Sequence, residues 1–375
     1  MPVLSKIKLT GFKTIQNLEL EFRSLNVLIG ANGAGKSNFV SFFEMLNHMM
    51  TDNLAGYVGG RGGASSHLYY GPKETSRIVG ELEFTTEQAT NCYRLELAHA
   101  AGDSFIFADE KVIFDSSEHD GDPFEASLGA GHTETQLNTI ADRDEDSARR
   151  NTARYLRRLL RRCRVYHFHD TTRRSNIRQK VSTDRDRYLY DDAGNLAAFL
   201  YGLKHHPSEP EYYQRIVRTI RQVAPFFDDF DFPEPSEEPS YVQLDWREKD
   251  SEYPFGPHQL SDGTIRAMAL ITLLFQPEDN LPDLIILDEP ELGFHPYAIN
   301  VLGGLLEHAA QYAQVLVATQ SPILVDQFEP EDLVIAQRDE KATALTRPDS
   351  EQLETWLEQY KLSELWEKNV LGGTP

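Results

Sequence analysis

Cysteine is nearly absent: Cys92 and Cys163 are the two in 375 residues. Neither lies in a cluster of metal-ligand spacing, which excludes a disulfide framework as the organiser of the fold. Long apolar runs are missing as well. Runs such as residues 284–287 fall far short of the roughly 20 residues that a membrane span needs. The opening "MPVLSKIKLT" has no apolar core of signal-peptide length, so the chain is expected in the cytoplasm without a membrane partner. No heptad pattern is sustained over several turns, which excludes a long coiled-coil arm, and there is no internal repeat. Positive charge is scarce: 37 Lys+Arg against 59 Asp+Glu give a net −22. That disfavours indiscriminate binding to nucleic acid or anionic membrane. The scarcity is uneven, however. Residues 143–187 hold 15 Lys/Arg and 6 Asp/Glu, a local +9 that leaves −31 for everything else.

What is present reads as a soluble globular chain, 40% hydrophobic and 26% charged, long enough for one large domain or two joined lobes. Residues 3–9 and 18–22 alternate as strands do, and "LNVLIG" is a strand buried on both faces. "FVSFFEMLNHMM" follows as an amphipathic helix. "GYVGGRGGASS" (56–66) is read as a flexible loop, since no strand–turn–helix context supports a second phosphate cradle. Four short alternating segments between 77 and 115 predict an antiparallel meander. Residues 116–146 read as a long polar connection, partly disordered, and "SARRNTARYLRRLLRRC" as an arginine-rich helix. "RVYHF" is a strand, residues 194–227 are helices, and "DDFDFPEPSEEP" is an acidic break. In the final 120 residues "LIIL", "VLVA" and "LVIA" are buried strands with helices between them.

Gly30 to Ser37 match G-x-x-x-x-G-K-S between a buried strand and a helix, the context that gives this pattern its meaning. Glycines let backbone N–H groups converge on phosphates, and the helix N-terminus adds favourable partial charge. Gly30, Asn32, Gly33, Gly35, Lys36, Ser37 and Asn38 are the candidate nucleotide contacts. Lys36 is expected on the β- and γ-phosphates and Ser37 on Mg²⁺. "LIILDEPELGFHP" (284–296) places Asp288 at a strand end to hold the metal, with Glu289 as base for the attacking water. "VLVATQSP" ends a third strand at Thr319, followed by Gln320.

"HQLSDGTIRAMALITLLF" resembles the signature motif of ABC-type ATPases, with Asp262 where a glycine is more common. In that family the serine and glycine complete the nucleotide site of a second subunit, which implies that Ser261 and Gly263 do so here in an ATP-dependent homodimer. The same resemblance makes Gln320 the γ-phosphate switch, in a place usually held by histidine. For His295 two readings stay open, a polar contributor at the dimer contact or a helix cap. "GFK" between two strands just before the phosphate loop is similar to the RecF/SMC-type branch, and Lys13 is carried over as a side contact to phosphate. Together with "DEPELGFHP" and "ATQSPILVDQFEP", the chain resembles a compact bacterial group of predicted ATPases akin to the ATPase part of OLD-family proteins.

The resemblance implies an α/β P-loop fold, an ABC-type head with a mixed central sheet, an antiparallel β subdomain and a helical lobe. The lobes are expected at 1–165 (phosphate loop and meander), 166–255 (helical, with the basic segment) and 256–375 (signature, metal strand and switch). The 53 residues after Pro322 lack the acidic strand ends of a Toprim nuclease, so any nuclease or effector, possibly Toprim-like, is expected on a partner subunit. DNA often crosses this region in related ATPases, so Arg154, Arg157, Arg158 and Arg161 are candidate phosphate contacts. Pairing with the chain's own carboxylates is the equal alternative. "HFHDTTRRSN" occupies the Q-loop position without its glutamine; His169 or Asp170 is the candidate replacement, and a metal site on these residues is disfavoured by their strand spacing. The function implied is ATP hydrolysis acting on nucleic acid, in DNA maintenance or anti-phage defence. The alternatives are a transporter's nucleotide-binding subunit and a slow ATP-timed assembly switch.

Overall fold

The computed structural model describes residues 2–116, 122–143, 145–206, 210–234 and 240–373. Val3–Phe12 (β1) pairs antiparallel with Ile15–Glu21 (β2), whose Leu18 and Leu20 face inward as the alternation requires. Leu25–Ile29 (β3) is buried at every position and leads through the phosphate loop into Lys36–Met49 (α1). The segment expected as a flexible loop is a correction. Leu54–Gly60 (α2) and a 3-10 turn at Ala64–His67 occupy it. Tyr57, Val58, Ala64 and His67 are buried, and this packing face outweighs the glycines' preference for loops.

The meander consists of Arg77–Thr85 (β4), Ala89–Ala100 (β5) and Ser104–Ser116 (β6), followed by Phe124–Gly129 (β7). Two of the four segments expected there fuse into β6, across an irregularity opposite Glu96 and Leu97. Such an extra residue rephases the strand and turns Glu110 fully inward. There it accepts from the Tyr93 hydroxyl at 2.6 Å, His132 Nε2 at 2.9 Å and the Gln136 N–H at 2.9 Å. Strand β7 and helix Leu137–Arg143 (α3) lie within the expected polar connection, of which residues 117–121 and 144 fall outside the described residues. Ser147–Arg161 (α4) is capped by Asp146, which accepts from the N–H groups of Ala148 and Arg149.

Cys163–Tyr166 (β8) and Val181–Ser182 (β9) lead to helices Leu196–His205 (α5) and Pro210–Val223 (α6). Phe227–Phe230 (β10) runs into the start of the expected acidic break, part of which (235–239) also lies outside the described residues. Then come Tyr241–Val242 (β11), Trp246–Glu248 (β12), Pro254–Phe255 (β13) and Asp262–Leu274 (α7). Leu284–Asp288 (β14), Pro296–Ala309 (α8), Gln314–Ala318 (β15) and Pro322–Val325 (α9) follow. Leu333–Asp339 (β16), Ala342–Thr346 (β17), Ser350–Leu357 (α10) and Leu362–Glu367 (α11) complete the chain's elements.

Two six-stranded sheets dominate. One is antiparallel, in the order β2-β1-β4-β5-β6-β7. The other, β17-β16-β3-β15-β14-β8, is mixed: β17 alone runs antiparallel to its neighbour. Side chains of the mixed sheet alternate between two cores. Val27, Ile285 and Val317 face α5–α8, whereas Leu28, Ile286 and Leu316 join Phe39, Phe43 and the antiparallel sheet. Helix α1 is thus clamped between the sheets, which fixes the loop at its N-terminus.

Candidate nucleotide site

Strand register assembles the site. Asp288 lies beside Ala318, Ala318 beside Leu28, and Leu287 beside Tyr166. The carboxyl ends of β3, β15, β14 and β8 therefore come out along one edge, where open α/β sheets bind ligands. The phosphate loop, Thr319–Gln320, Asp288–Glu289 and His167–His169 all emerge there.

The loop's backbone demands its glycines. Gly30, Gly33 and Gly35 have φ of 150°, 78° and 108°. A Cβ on Gly30 would strike the Ala336 carbonyl oxygen, and one on Gly35 the Thr343 hydroxyl. Thr343 donates to the Ala34 carbonyl at 2.8 Å and meets Thr14, which accepts from Asn38 Nδ2 at 2.8 Å. Lys36 is buried and folds onto the loop, donating to the carbonyls of Gly30 at 2.5 Å and Ala31 at 3.1 Å. Burial lowers its pKa, opposed by Glu289, Asp288 and Glu291, which places three carboxylates within reach of one ammonium. Asn32 and Gly33 line the outer side of the loop with Arg338 and Asn369.

Burial raises the Asp288 carboxyl above its usual range, opposed by the neighbouring Ser37 hydroxyl. Its Oδ1 is buried without a hydrogen-bond partner. A hydroxyl beside an orphaned carboxylate oxygen is the hard-oxygen donor set that suits Mg²⁺. Glu289 sits at φ 45°, its N–H bonded to the Ala318 carbonyl at 2.8 Å, and its Oε1 accepts from the Gln320 side-chain amide. The base and switch expected from the motifs are therefore in contact. At the Q-loop position burial lowers the His169 pKa, opposed by Asp288, whereas Asp170 accepts from the hydroxyl and N–H of Thr172. His167 lies 2.7 Å from Glu44. Among the described residues no group of three or more His, Cys, Asp or Glu is arranged for a metal.

Beside α1 a cleft of about 590 Å³ is lined by Lys13, Thr14, Asn38, Arg61, Tyr70 and Arg338, among others. Lys13 donates to Ser41 Oγ at 2.7 Å, and burial lowers its pKa. Arg61 pairs with Glu44 at 3.0 Å. Reading residues 56–66 as loop concealed Arg61, because only the packing of α2 brings it to the cleft.

Ser261 caps α7, accepting from the Thr264 N–H at 3.1 Å. Gly263 lies against the Gly293 carbonyl, 2.6 Å from where its Cβ would stand. Asp262 is 69% exposed but pairs at 2.8 Å with Arg178, itself only 4% exposed. Arg178 also donates to the carbonyls of Thr171, Pro257 and Leu260, so the unusual acidic residue anchors the turn. Arg266 ties the same helix to the carbonyls of Phe168, His169 and Leu292. Arg178 did not stand out in a basic run read for nucleic acid, and Arg266 lies outside that run. His295 accepts from the Tyr297 N–H at 3.3 Å as the cap of α8.

On α4, Arg154 donates to the Ala141 carbonyl at 3.2 Å and Arg157 to Asp142 at 2.8 Å. Arg161 donates to the Met50 carbonyl at 3.1 Å. Arg158 is exposed on the same helix. Three of the four candidates thus hold neighbouring chain.

Residues 25–326 match the family model described as "AAA domain, putative AbiEii toxin, Type IV TA system". The chain belongs to that family. Its fold is that of SMC heads. An SMC head bound to the C-winged helix domain of ScpA gives a TM-score of 0.59 at 11% identity, over 95% of this chain and 99% of that one. The Smc head with an extended coiled coil from Pyrococcus furiosus gives 0.59 at 11%, over 96% and 99%. The DNA double-strand break repair Rad50 ATPase of Saccharolobus solfataricus is 30% identical over 104 residues, 26% of this chain. The match spans 12% of the length of Rad50. No helix among the described residues is long and apolar enough to cross a membrane.

Proposed function

We propose that this chain binds ATP with Mg²⁺, dimerises around it and hydrolyses it. The observation that supports this most directly is the edge at which Lys36, Asp288, Glu289 and Gln320 converge. Lys36 and the loop N–H groups hold the β- and γ-phosphates, and the cleft beside Lys13 and Asn38 takes the nucleoside side. Ser37 and Asp288 would hold Mg²⁺, which when bound neutralises phosphate charge. Glu289 accepts the proton of the attacking water, and the Gln320 amide orients that carboxylate. Ser261 and Gly263 complete the site of a second copy. Phosphate release from ATP tests this reading. Wild-type protein turns over with Mg²⁺, and chelation with EDTA lowers the rate at least about 100-fold; a rate indifferent to EDTA would remove the metal role of Ser37 and Asp288.

We further propose that turnover serves action on nucleic acid, through an effector carried on another subunit. The basic island supports the first part, and the family's toxin–antitoxin description fits a defence role. Because Arg154, Arg157 and Arg161 all hold neighbouring chain, the exposed Arg158 carries the test. Reversing it to Glu lowers the slope of log affinity for duplex DNA against log salt by roughly one. An unchanged slope would assign the island to intramolecular bracing alone.

A further inference from the structure

Glu291 has no part in the reading above, yet it is the most constrained carboxylate at the site. It is 8% exposed. Its Oε1 accepts from the Thr319 hydroxyl. Oε2 is buried with no hydrogen-bond partner. Thr319 Oγ1 accepts in turn from the Ser321 N–H at 2.9 Å. One side chain, rooted three residues past the end of β14, thereby holds Thr319 and, through it, Ser321, on either side of Gln320. Gln320 itself reaches back to Glu289.

A carboxylate buried with one oxygen unpaired disfavours folding. Burial pushes the Glu291 carboxyl upward, and the like charge of Glu289 adds to that push. An apolar side chain would fill the same space without this penalty. What the carboxylate adds is a pair of acceptors at fixed positions, aimed at the turn that presents Gln320.

We propose that Glu291 is a positioning residue for hydrolysis: it fixes the 319–321 turn so that the Gln320 amide sets the direction of the Glu289 carboxylate. The proposal rests on the reading of Glu289 as the base. It makes the loop after β14 bipartite, with Glu289 acting on water and Glu291 acting on the residue that aims Glu289.

The test compares Glu291→Ala and Glu291→Gln, each alone and combined with Gln320→Ala, at saturating ATP. The amide of Glu291→Gln keeps an oxygen for Thr319, so kcat stays within about fivefold of wild type. Glu291→Ala lowers kcat about 30-fold with KM changed less than about threefold, since misdirected geometry affects the chemical step. Gln320→Ala alone costs a similar factor, but in the Glu291→Ala background it adds less than about twofold, because both remove one device. Losses that multiply instead would overturn the proposal. Hydrogen–deuterium exchange gives a readout independent of turnover. The amides of Gln320 and Ser321 exchange about tenfold faster in Glu291→Ala and at the wild-type rate in Gln320→Ala; equal exchange in Glu291→Ala and wild type overturns it as well. Wild-type protein that fails to hydrolyse ATP sinks the ATPase reading instead, and the exchange comparison still decides the role of Glu291.

Discussion

Glu289→Gln binds ATP as tightly as wild type, within about threefold, and hydrolyses it roughly 10²–10⁴-fold more slowly, the usual contribution of a general base. The substitution keeps the shape at the end of β14 and removes the group that takes the proton. Lys36, Ser37 and Asp288 are untouched, so phosphate and metal contacts persist, and the protein accumulates as an ATP-bound dimer. Size-exclusion chromatography with ATP, read beside single-turnover hydrolysis, checks both halves. The contact from Gln320 makes the prediction sharper, because a neutral amide at 289 still meets the Gln320 side chain. Wild-type hydrolysis by Glu289→Gln would move the base elsewhere on this edge, where Asp288 and Glu291 are the other carboxylates whose charge acts on Lys36.

Ser261→Arg abolishes hydrolysis as a homodimer, at least about 100-fold, although its phosphate loop is intact, because the lesion falls in the neighbour's site. Lys36→Ala is equally inactive for the opposite reason. Mixed in equal amounts, the two form heterodimers with one site carrying both lesions and one site whole. About a quarter of the wild-type rate returns if sites fire independently and subunits exchange freely. Cooperative firing gives less, and a mass-photometry check of heterodimer formation separates that case from failed mixing. A Ser261→Arg homodimer that hydrolyses ATP normally would reduce residues 260–264 to a helix cap and an anchor for Arg178, the roles their contacts within a single chain already display.

The strands and helices bearing the motifs were legible in the sequence, because the phosphate loop, Asp288 and Gln320 each sit just where a buried strand ends. β3, β14 and β15 are buried on both faces and so are predominantly apolar. Segments whose signal is diluted were read less well. Two glycine pairs hid α2 and with it Arg61, and one irregularity in β6 split a single strand into two.

Composition and order along the chain were enough to settle the class of fold, the glycine loop and the pairing of Asp288 with Glu289, because these depend on local backbone and on short-range periodicity. Partnership was another matter. An arginine in a basic run has the same letter whether it faces a phosphate or a carbonyl, and only tertiary packing sent Arg178 to Asp262 and Arg157 to Asp142. Likewise an acidic residue after "DEP" carries no mark of burial. The parallel register that sets Asp288 beside Ala318 is what carries Glu291 to Thr319, across 28 residues of sequence.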